Sequence, residues 1–313
     1  MTEFEAEQQI KQLIDSGQYF QLGYELIESI KNIELDQDIK NLLENVSEYY
    51  IDYLGDIEKL SPDFRRIFLT TIKDADIIDN QSMEKEDSFL ISIYRHIQKD
   101  NYAVDKIGKV SSFNPDNLKE IHEELLKYTS SSQGKLSGFR DNDRKYVGYI
   151  DEYTNERVIE YFPVKSSEIE DIAKRICDYI NSPDEEENIF VKPIIVHGLI
   201  AAYQMFNDGN TRLARLVQHE LIRRNTNNLG YNYETPTFYA TRMYYPLRSV
   251  YRGLITKLVL NHDNNAWREW IKFNARTFDN SIAVNYDNIV KLERSAIMNL
   301  EDNDINTRYY KNK

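Results

Sequence analysis

Apolar residues recur at spacings of three and four along most of the chain, which is the period of helices with one buried face. Two such helices are predicted over Glu3 to Ser16 and over Tyr19 to Lys31. Another is predicted to begin at Ser61-Pro62-Asp63, with proline in the first helical position. Only Lys145 to Tyr161 resembles strands, on either side of the turn-forming stretch Asp151 to Glu156. The pattern predicts an all-α fold with one β-hairpin.

Polar and turn-forming residues between Asn101 and Asn117 mark the best domain boundary. A chain of 313 residues is long enough to bury a full core and one subdomain besides. The predicted organisation is an N-terminal helical subdomain over residues 1–105, a core over residues 106–235 and a C-terminal helical extension over residues 236–313.

The pattern most suggestive of chemistry lies between Val191 and Arg215. The helical period holds from Val191 to Phe206, Asn207 to Asn210 interrupt it with residues that tolerate turns, and a second helical pattern starts near Thr211. The segment therefore predicts two helices joined by a tight turn.

Such a turn is suited to an anion, because free N–H groups and the dipole of the second helix point into it. Arg212 and Arg215 are three residues apart and can both reach an anion there. Gly209 permits close approach of the backbone, and Asn210 can donate a hydrogen bond. Asp208 would repel a bare phosphate but suits Mg²⁺ bound to phosphate. The alternative is an ordinary interhelical turn with solvated arginines.

Gln204 to Arg215 resembles the motif of the Fic (Fido) family, which reads His-Pro-Phe-x-Asp/Glu-Gly-Asn-Gly-Lys/Arg and, after two more residues, Arg. The chain matches the motif at Phe, Asp, Gly, Asn and both arginines. It departs from the motif at three positions, where Gln204, Met205 and Thr211 replace His, Pro and the second Gly.

The resemblance covers roughly Leu118 to Asn280. It includes Gly138-Phe139-Arg140 and the hairpin Tyr146 to Phe162, which the family calls the flap. The resemblance implies a Fic-fold helical bundle with that flap and an N-terminal helical subdomain.

Most Fic proteins transfer AMP from ATP to a hydroxyl of a target protein, with the motif histidine as general base. The resemblance implies that Asp208 holds Mg²⁺ and that ATP or a related nucleotide binds the residues Gly209, Asn210, Thr211, Arg212 and Arg215. Gln204 takes the position of the histidine, but an amide cannot accept the proton near neutral pH. We therefore expect a nucleotide-binding relative of the protein adenylyltransferases whose AMPylation is impaired, in other words a pseudoenzyme with an unknown protein partner.

Two other functions remain open at this stage. The chain is an active transferase if another base, reached from the flap, takes the place of the histidine. It is also an active transferase if it transfers another phosphate-containing group. It is a protein-interaction module if its pocket is vestigial. Thr211 also has two interpretations. As a β-branched residue in place of glycine, it requires either ordinary dihedrals in the turn or an altered anion nest; alternatively, it caps the second helix and adds a hydroxyl.

Ala75 to Asn80 is the segment nearest to the family's inhibitory helix. The comparison suggests a salt bridge from Asp79 to Arg215 that would block the site. The alternative is that Asp79 is an acid at a helix end in a solvated loop.

Composition excludes some partners. The chain has 52 acidic and 39 basic residues, a net charge of −13, which argues against nucleic acid and anionic membranes. No apolar run approaches the roughly 20 residues that span a bilayer. The acidic start, Met1 to Glu7, is unlike a signal peptide, and Cys177 is the only cysteine. We expect a cytoplasmic protein.

Overall fold

The structure is a computed structural model that describes residues 20–83, 103–126, 138–150, 154, 156–183 and 188–310, without the side chains of 77–83, 150 and 292–310. Helices dominate these residues. Their bounds are α1 (Glu25–Ser29), α2 (Gln37–Lys59), α3 (Pro62–Met83), α4 (Pro115–Leu126), α5 (Ile169–Asn181), α6 (Val191–Tyr203), α7 (Asn210–Asn228), α8 (Thr241–Tyr244), α9 (Arg248–Asn261) and α10 (Asn264–Tyr310).

One antiparallel hairpin accompanies these helices in the described part of the chain. Strand β1 (Val147–Ile150) pairs with β2 (Arg157–Tyr161), in a register that sets Val147 opposite Tyr161 and Ile150 opposite Arg157. The prediction of an all-α fold with one hairpin is confirmed. The helix start at Pro62 is confirmed as well.

The helix predicted over Tyr19 to Lys31 is wrong in its first half. Phe20 to Tyr24 are not helical, and α1 begins only at Glu25. The Leu22 N–H donates to the carbonyl of Phe162 at 2.9 Å, and the Phe162 N–H donates to the carbonyl of Phe20 at 2.9 Å. Pairing with the end of the flap replaces the helical hydrogen bonds, an interaction that local periodicity does not reveal.

The buried core is continuous across the predicted linker and the predicted domain boundaries. Residues 103–108, inside the proposed linker, are helical, and Ala103 and Ile107 are buried. The buried apolar side chains form one cluster with members from all three predicted segments, from Leu22 to Ile289. The helix predicted over Glu3 to Ser16 lies outside the described residues.

Helix α6 lies at the centre of this core. All thirteen of its residues are buried, so it is enclosed on every side and not on one face. It packs against α5, α7, α9 and α10. The indole N–H of Trp270 on α10 donates to the Ile194 carbonyl at 2.9 Å, and a Cβ at Gly198 would lie 2.8 Å from that indole nitrogen. Gly198 therefore allows the two helices to approach.

In the described part of the chain, none of the helices combines the length and the apolar character that a membrane span requires.

Buried tyrosines connect the N-terminal helices to α7. The hydroxyl of Tyr50, on α2, lies 2.9 Å from the hydroxyl of Thr226 and 2.6 Å from that of Thr237. All three side chains are buried. Buried hydroxyls are costly without partners, so this triad stabilises the contact between α2 and α7.

We predict that Tyr50→Phe lowers the free energy of unfolding by about 1–3 kcal/mol, because two buried threonine hydroxyls lose a partner. Urea denaturation would measure the change. Tyr149→Phe, which removes a hydroxyl from an exposed flap residue, is the matched control and should change stability little. Equal stability of Tyr50→Phe and the wild type would contradict the prediction.

His219, on α7, is a neutral core histidine. The Ala240 N–H donates to its Nε2 at 3.1 Å, which requires that nitrogen to be unprotonated. Burial, with a smaller contribution from the charge of Arg215, lowers the pKa of His219 to about 3. Its ordinary pKa is about 6.5, so the neutral form contributes stability above pH 6.5 that is lost as the pH falls towards 3.

We predict that His219→Gln reduces the loss of stability between pH 7 and pH 4 by about 2 kcal/mol relative to the wild type. Denaturation series at the two pH values would measure it. His262→Asn, which replaces a histidine at the end of α9, is the control and should keep the wild-type slope. Parallel slopes for the wild type and His219→Gln would show that His219 does not carry this pH dependence.

Candidate functional site

The predicted pair of helices and the turn between them are present. Helix α6 ends at Tyr203, three residues earlier than the period suggested, and α7 begins at Asn210. The early end has a backbone cause, because Gln204 adopts left-handed dihedrals with φ 47° and ψ 49°. Such a φ is uncommon outside glycine and marks a position that the surrounding structure holds.

Asn210 and Arg140 hold the turn. The Asn210 side chain accepts from the Phe206 N–H at 2.9 Å and donates to the Phe206 carbonyl at 2.8 Å. The Nε of Arg140 donates to the Gln204 carbonyl at 3.0 Å, and its backbone N–H donates to the Met205 carbonyl at 3.0 Å. Both side chains are buried. Asn210 was predicted to offer its amide to an anion, but that amide is used within the turn.

Phe206 and His122 pack beneath the turn. Their rings are stacked with centroids 3.8 Å apart, and Phe206 is fully buried, as expected of a core anchor. The Nε2 of His122 donates to the Asp208 carbonyl at 2.7 Å. Burial lowers the pKa of His122 to about 4, so this histidine is neutral near pH 7. Gly209 has φ 73°, and a Cβ there would lie 3.0 Å from Leu126.

Thr211 lies inside α7 and is not among the residues with a positive φ. It is the second residue of α7, and the residue before the helix, in the capping position, is Gly209. Of the two interpretations of Thr211, the capping role is therefore wrong. The positive φ falls at Gly209, so a β-branched side chain is tolerated one position after Asn210.

A cavity of about 290 Å³ lies between the flap, the end of α6, the start of α7 and α9. Gln204, Thr211 and Arg215 of the motif segment line it. The other lining residues are Val147, Gly148, Glu160, Tyr161, Ala201, Arg248, Tyr251, Arg252, Ile255 and Thr256. The cavity therefore combines the start of a nineteen-residue helix with three arginines and one carboxylate.

Gln204 is held at the edge of this cavity by its own amide. Its Nε2 donates to the Ala201 carbonyl at 2.7 Å, and its Oε1 accepts from Asn210 at 3.2 Å. An amide oxygen that accepts a hydrogen bond does not become a base, because its protonated form is inaccessible near neutral pH.

Arg212 and Arg215 do not point to the same place. Both are buried, but only Arg215 lines the cavity. Arg212 lies 3.6 Å from the carboxylate of Asp208, which is 41% exposed and also accepts from the Gly209 N–H at 2.7 Å. Asp208 and Arg212 therefore form a pair beside the cavity wall. Arg215 lines the cavity, whereas Arg212 and Asp208 contact each other next to it.

Lys145 is a residue near the turn that the sequence did not single out. Its ammonium group donates to the Asn207 carbonyl at 2.6 Å. Burial lowers the pKa of Lys145 to about 8, and the negative charge of Asp208 acts in the opposite direction. Arg248 and Arg252 were also missed, although their spacing of four, followed by Thr256 after four more residues, could have indicated a shared helix face.

None of the described histidines, His122 included, lines the cavity. His197 bonds Gln218 at 2.9 Å and Tyr251 at 2.8 Å, and it is fully buried. His219 bonds Ala240, as described above. The side chain of Asp79, the proposed inhibitory acid, lies outside the described residues, although its backbone belongs to α3.

One carboxylate near the turn supplies too few ligands to form a metal site by itself. Within the described residues, no three side chains of His, Cys, Asp or Glu form a group that could hold a metal ion. Asp208 fits Mg²⁺ only as one of several ligands, with phosphate oxygens and water supplying the rest.

Comparisons with known proteins agree with this arrangement. Residues 112–222 match the family model described as Fic/DOC family. No curated protein sequence matches the chain.

Three solved structures share the fold at low sequence identity. A Fic family protein from Desulfovibrio desulfuricans G20 aligns with a TM-score of 0.58 and 16% identity over 81% of this chain and 76% of its own. A Fic domain containing signaling protein from Bacteroides thetaiotaomicron VPI-5482 aligns with a TM-score of 0.59 and 13% identity over 79% of this chain and 97% of its own. Fic-1 from C. elegans aligns with a TM-score of 0.52 and 16% identity over 80% of this chain and 71% of its own. Residues 112–222 therefore match the Fic/DOC family, and the chain has the fold of these three Fic structures.

Proposed function

We propose that the cavity beside the flap binds a nucleotide or a related phosphate ligand together with Mg²⁺, and that AMP transfer to a protein hydroxyl is impaired. The observation that carries this proposal is the position of Arg215, a buried guanidinium that lines the cavity next to the start of α7. The N–H groups and the dipole of that helix end favour a phosphate at the same place.

The motif residues take different parts in this proposal. The backbone of Gly209, Asn210 and Thr211 supplies the start of α7, and Arg215 pairs with phosphate. Arg212 acts with Asp208, where Mg²⁺ carried by the ligand would bind and neutralise phosphate charge. Asn210 contributes by holding the turn and not by contacting the ligand, since its amide is already bonded.

Gln204 accounts for the impaired transfer. Nucleophilic attack by a hydroxyl requires removal of its proton, and general-base catalysis is worth roughly 10²–10⁴-fold in rate. Binding depends on charge and hydrogen bonds that remain, so it survives the change. In this proposal the protein keeps a nucleotide bound, and the bound state is the signal to a protein partner.

The alternative of an active transferase has one candidate base. Glu160, on β2, is the single carboxylate in the cavity lining, and its Oε2 is buried without a hydrogen bond among the described residues. A base on the flap was one of the possibilities open from the sequence. Glu160 lies 4.0 Å from Arg252, however, so its carboxylate already has an ion-pair partner on α9.

We predict that Arg215→Lys weakens binding of ATP with Mg²⁺ by at least about tenfold, because lysine cannot form the bidentate contact. Isothermal titration calorimetry would measure the affinity. Arg242→Ala, at an exposed arginine of α8, is the control and should bind like the wild type. A wild type that binds no nucleotide would refute the proposal and favour a protein-interaction module.

We predict that wild-type protein transfers little AMP to protein and that Gln204→His raises labelling by roughly 10²-fold or more. Transfer of a radioactive AMP group from ATP, with the protein itself and a cell lysate as acceptors, would measure it. Gln204→Asn keeps an amide and tolerates the left-handed backbone, so it should remain inactive. Robust labelling by the wild type that is lost in Glu160→Gln would instead identify an active transferase with a flap base.

A further inference from the structure

Two arginines of α9 line the cavity although neither belongs to the motif. Arg248 is the first residue of α9, and Arg252 follows one turn later. Thr256, after one more turn, lines the cavity too. The spacing of four places these side chains on one face of the helix. Together with Arg215 of α7, they bring three guanidinium groups from two helices to one space.

The charges of the lining do not balance. Among the described residues that line it, Glu160 is the single carboxylate, so three positive charges stand against one negative charge, a net of +2. The chain as a whole has a net charge of −13. Like charges one helical turn apart are unfavourable, and anions relieve that repulsion. This concentration of positive charge is a local property of the cavity and not of the chain.

The fold uses the two α9 arginines differently. The Nη2 of Arg252 donates to the Gly148 carbonyl of the flap at 2.5 Å, and its guanidinium lies 5.7 Å from the ring of Tyr149. No described residue gives Arg248 a hydrogen bond, an ion pair or a ring contact. Arg248 also stands at the first position of a helix, where positive charge opposes the dipole. Its charge is therefore available to a ligand.

The other described residues of the wall are uncharged. Aliphatic and aromatic side chains complete the lining, among them Val147, Ile255, Tyr161 and Tyr251. The hydroxyl oxygen of Thr256 is buried and has no hydrogen-bond partner among the described residues. Such a cavity suits a ligand with a flat apolar body and separated anionic groups.

We propose that Arg248 and Arg252 form a second anion subsite, which makes the cavity selective for nucleoside diphosphates and triphosphates over monophosphates. The inference rests on the proposed function, since Arg215 and the start of α7 take one phosphate. A further phosphate reaches α9, where Arg248 and Arg252 bind it. A nucleoside monophosphate has no second group to place there.

Calorimetric titration with ADP and with AMP tests the subsite on the full chain. The wild type should bind ADP at least about tenfold more tightly than AMP, as expected for one additional charge-assisted contact. Arg248→Ala should remove most of that preference while the affinity for AMP stays the same. Arg242→Ala, outside the cavity lining, is the matched loss of one positive charge and should keep the preference.

Arg252→Lys supplies a second variant that keeps the charge near the flap. It should weaken the binding of ADP severalfold and leave the binding of AMP unchanged, because lysine cannot form the bidentate pair. Equal affinity of the wild type for ADP and AMP, or a preference that survives in both variants, overturns the subsite while the proposed function stands. An Arg248→Ala variant that binds AMP and ADP with equally reduced affinity also overturns the subsite. Failure of the wild type to bind either nucleotide contradicts the proposed function itself.

Discussion

The turn between α6 and α7 keeps its shape through hydrogen bonds from side chains to its backbone. Arg140 donates to the carbonyl of Gln204, and Asn210 bonds both polar groups of Phe206. These bonds hold Gln204 in a left-handed conformation that a glutamine rarely adopts. The position of the cavity depends on this constraint, because the same turn aims the start of α7 and Arg215 towards the flap.

Binding and turnover make separate demands on such a site. Binding needs positive charge and N–H groups in a protected space, and the start of α7 with Arg215, Arg248 and Arg252 offers them. Proton removal needs a basic atom at one position, and Gln204 offers an amide whose oxygen and nitrogen are already bonded. A chain can therefore lose the second property and retain the first. This separation is the physical basis of the proposal that a protein with a Fic-like site holds a ligand without efficient transfer.

Local signals predicted the elements well and their placement less well. Proline at position 62, the hairpin between Lys145 and Tyr161 and the turn before α7 are all properties of neighbouring residues, and the structure contains them. Phe20 to Tyr24 were expected to be helical, but Phe20 and Leu22 bond the backbone of Phe162, more than one hundred positions away. No pattern within a short window reports such a partner.

The sequence by itself determined the helical fold, the hairpin and the motif with glutamine in place of histidine, because hydrophobic period, turn residues and residue identity are written along the chain. Only the tertiary structure decided that Arg215 lines the cavity while Arg212 lies beside Asp208. It also brought Arg248 and Arg252 into the lining of the same cavity as Arg215. The reason is that the directions of side chains on different helices depend on how those helices pack, and packing is a property of contacts between residues distant in the chain.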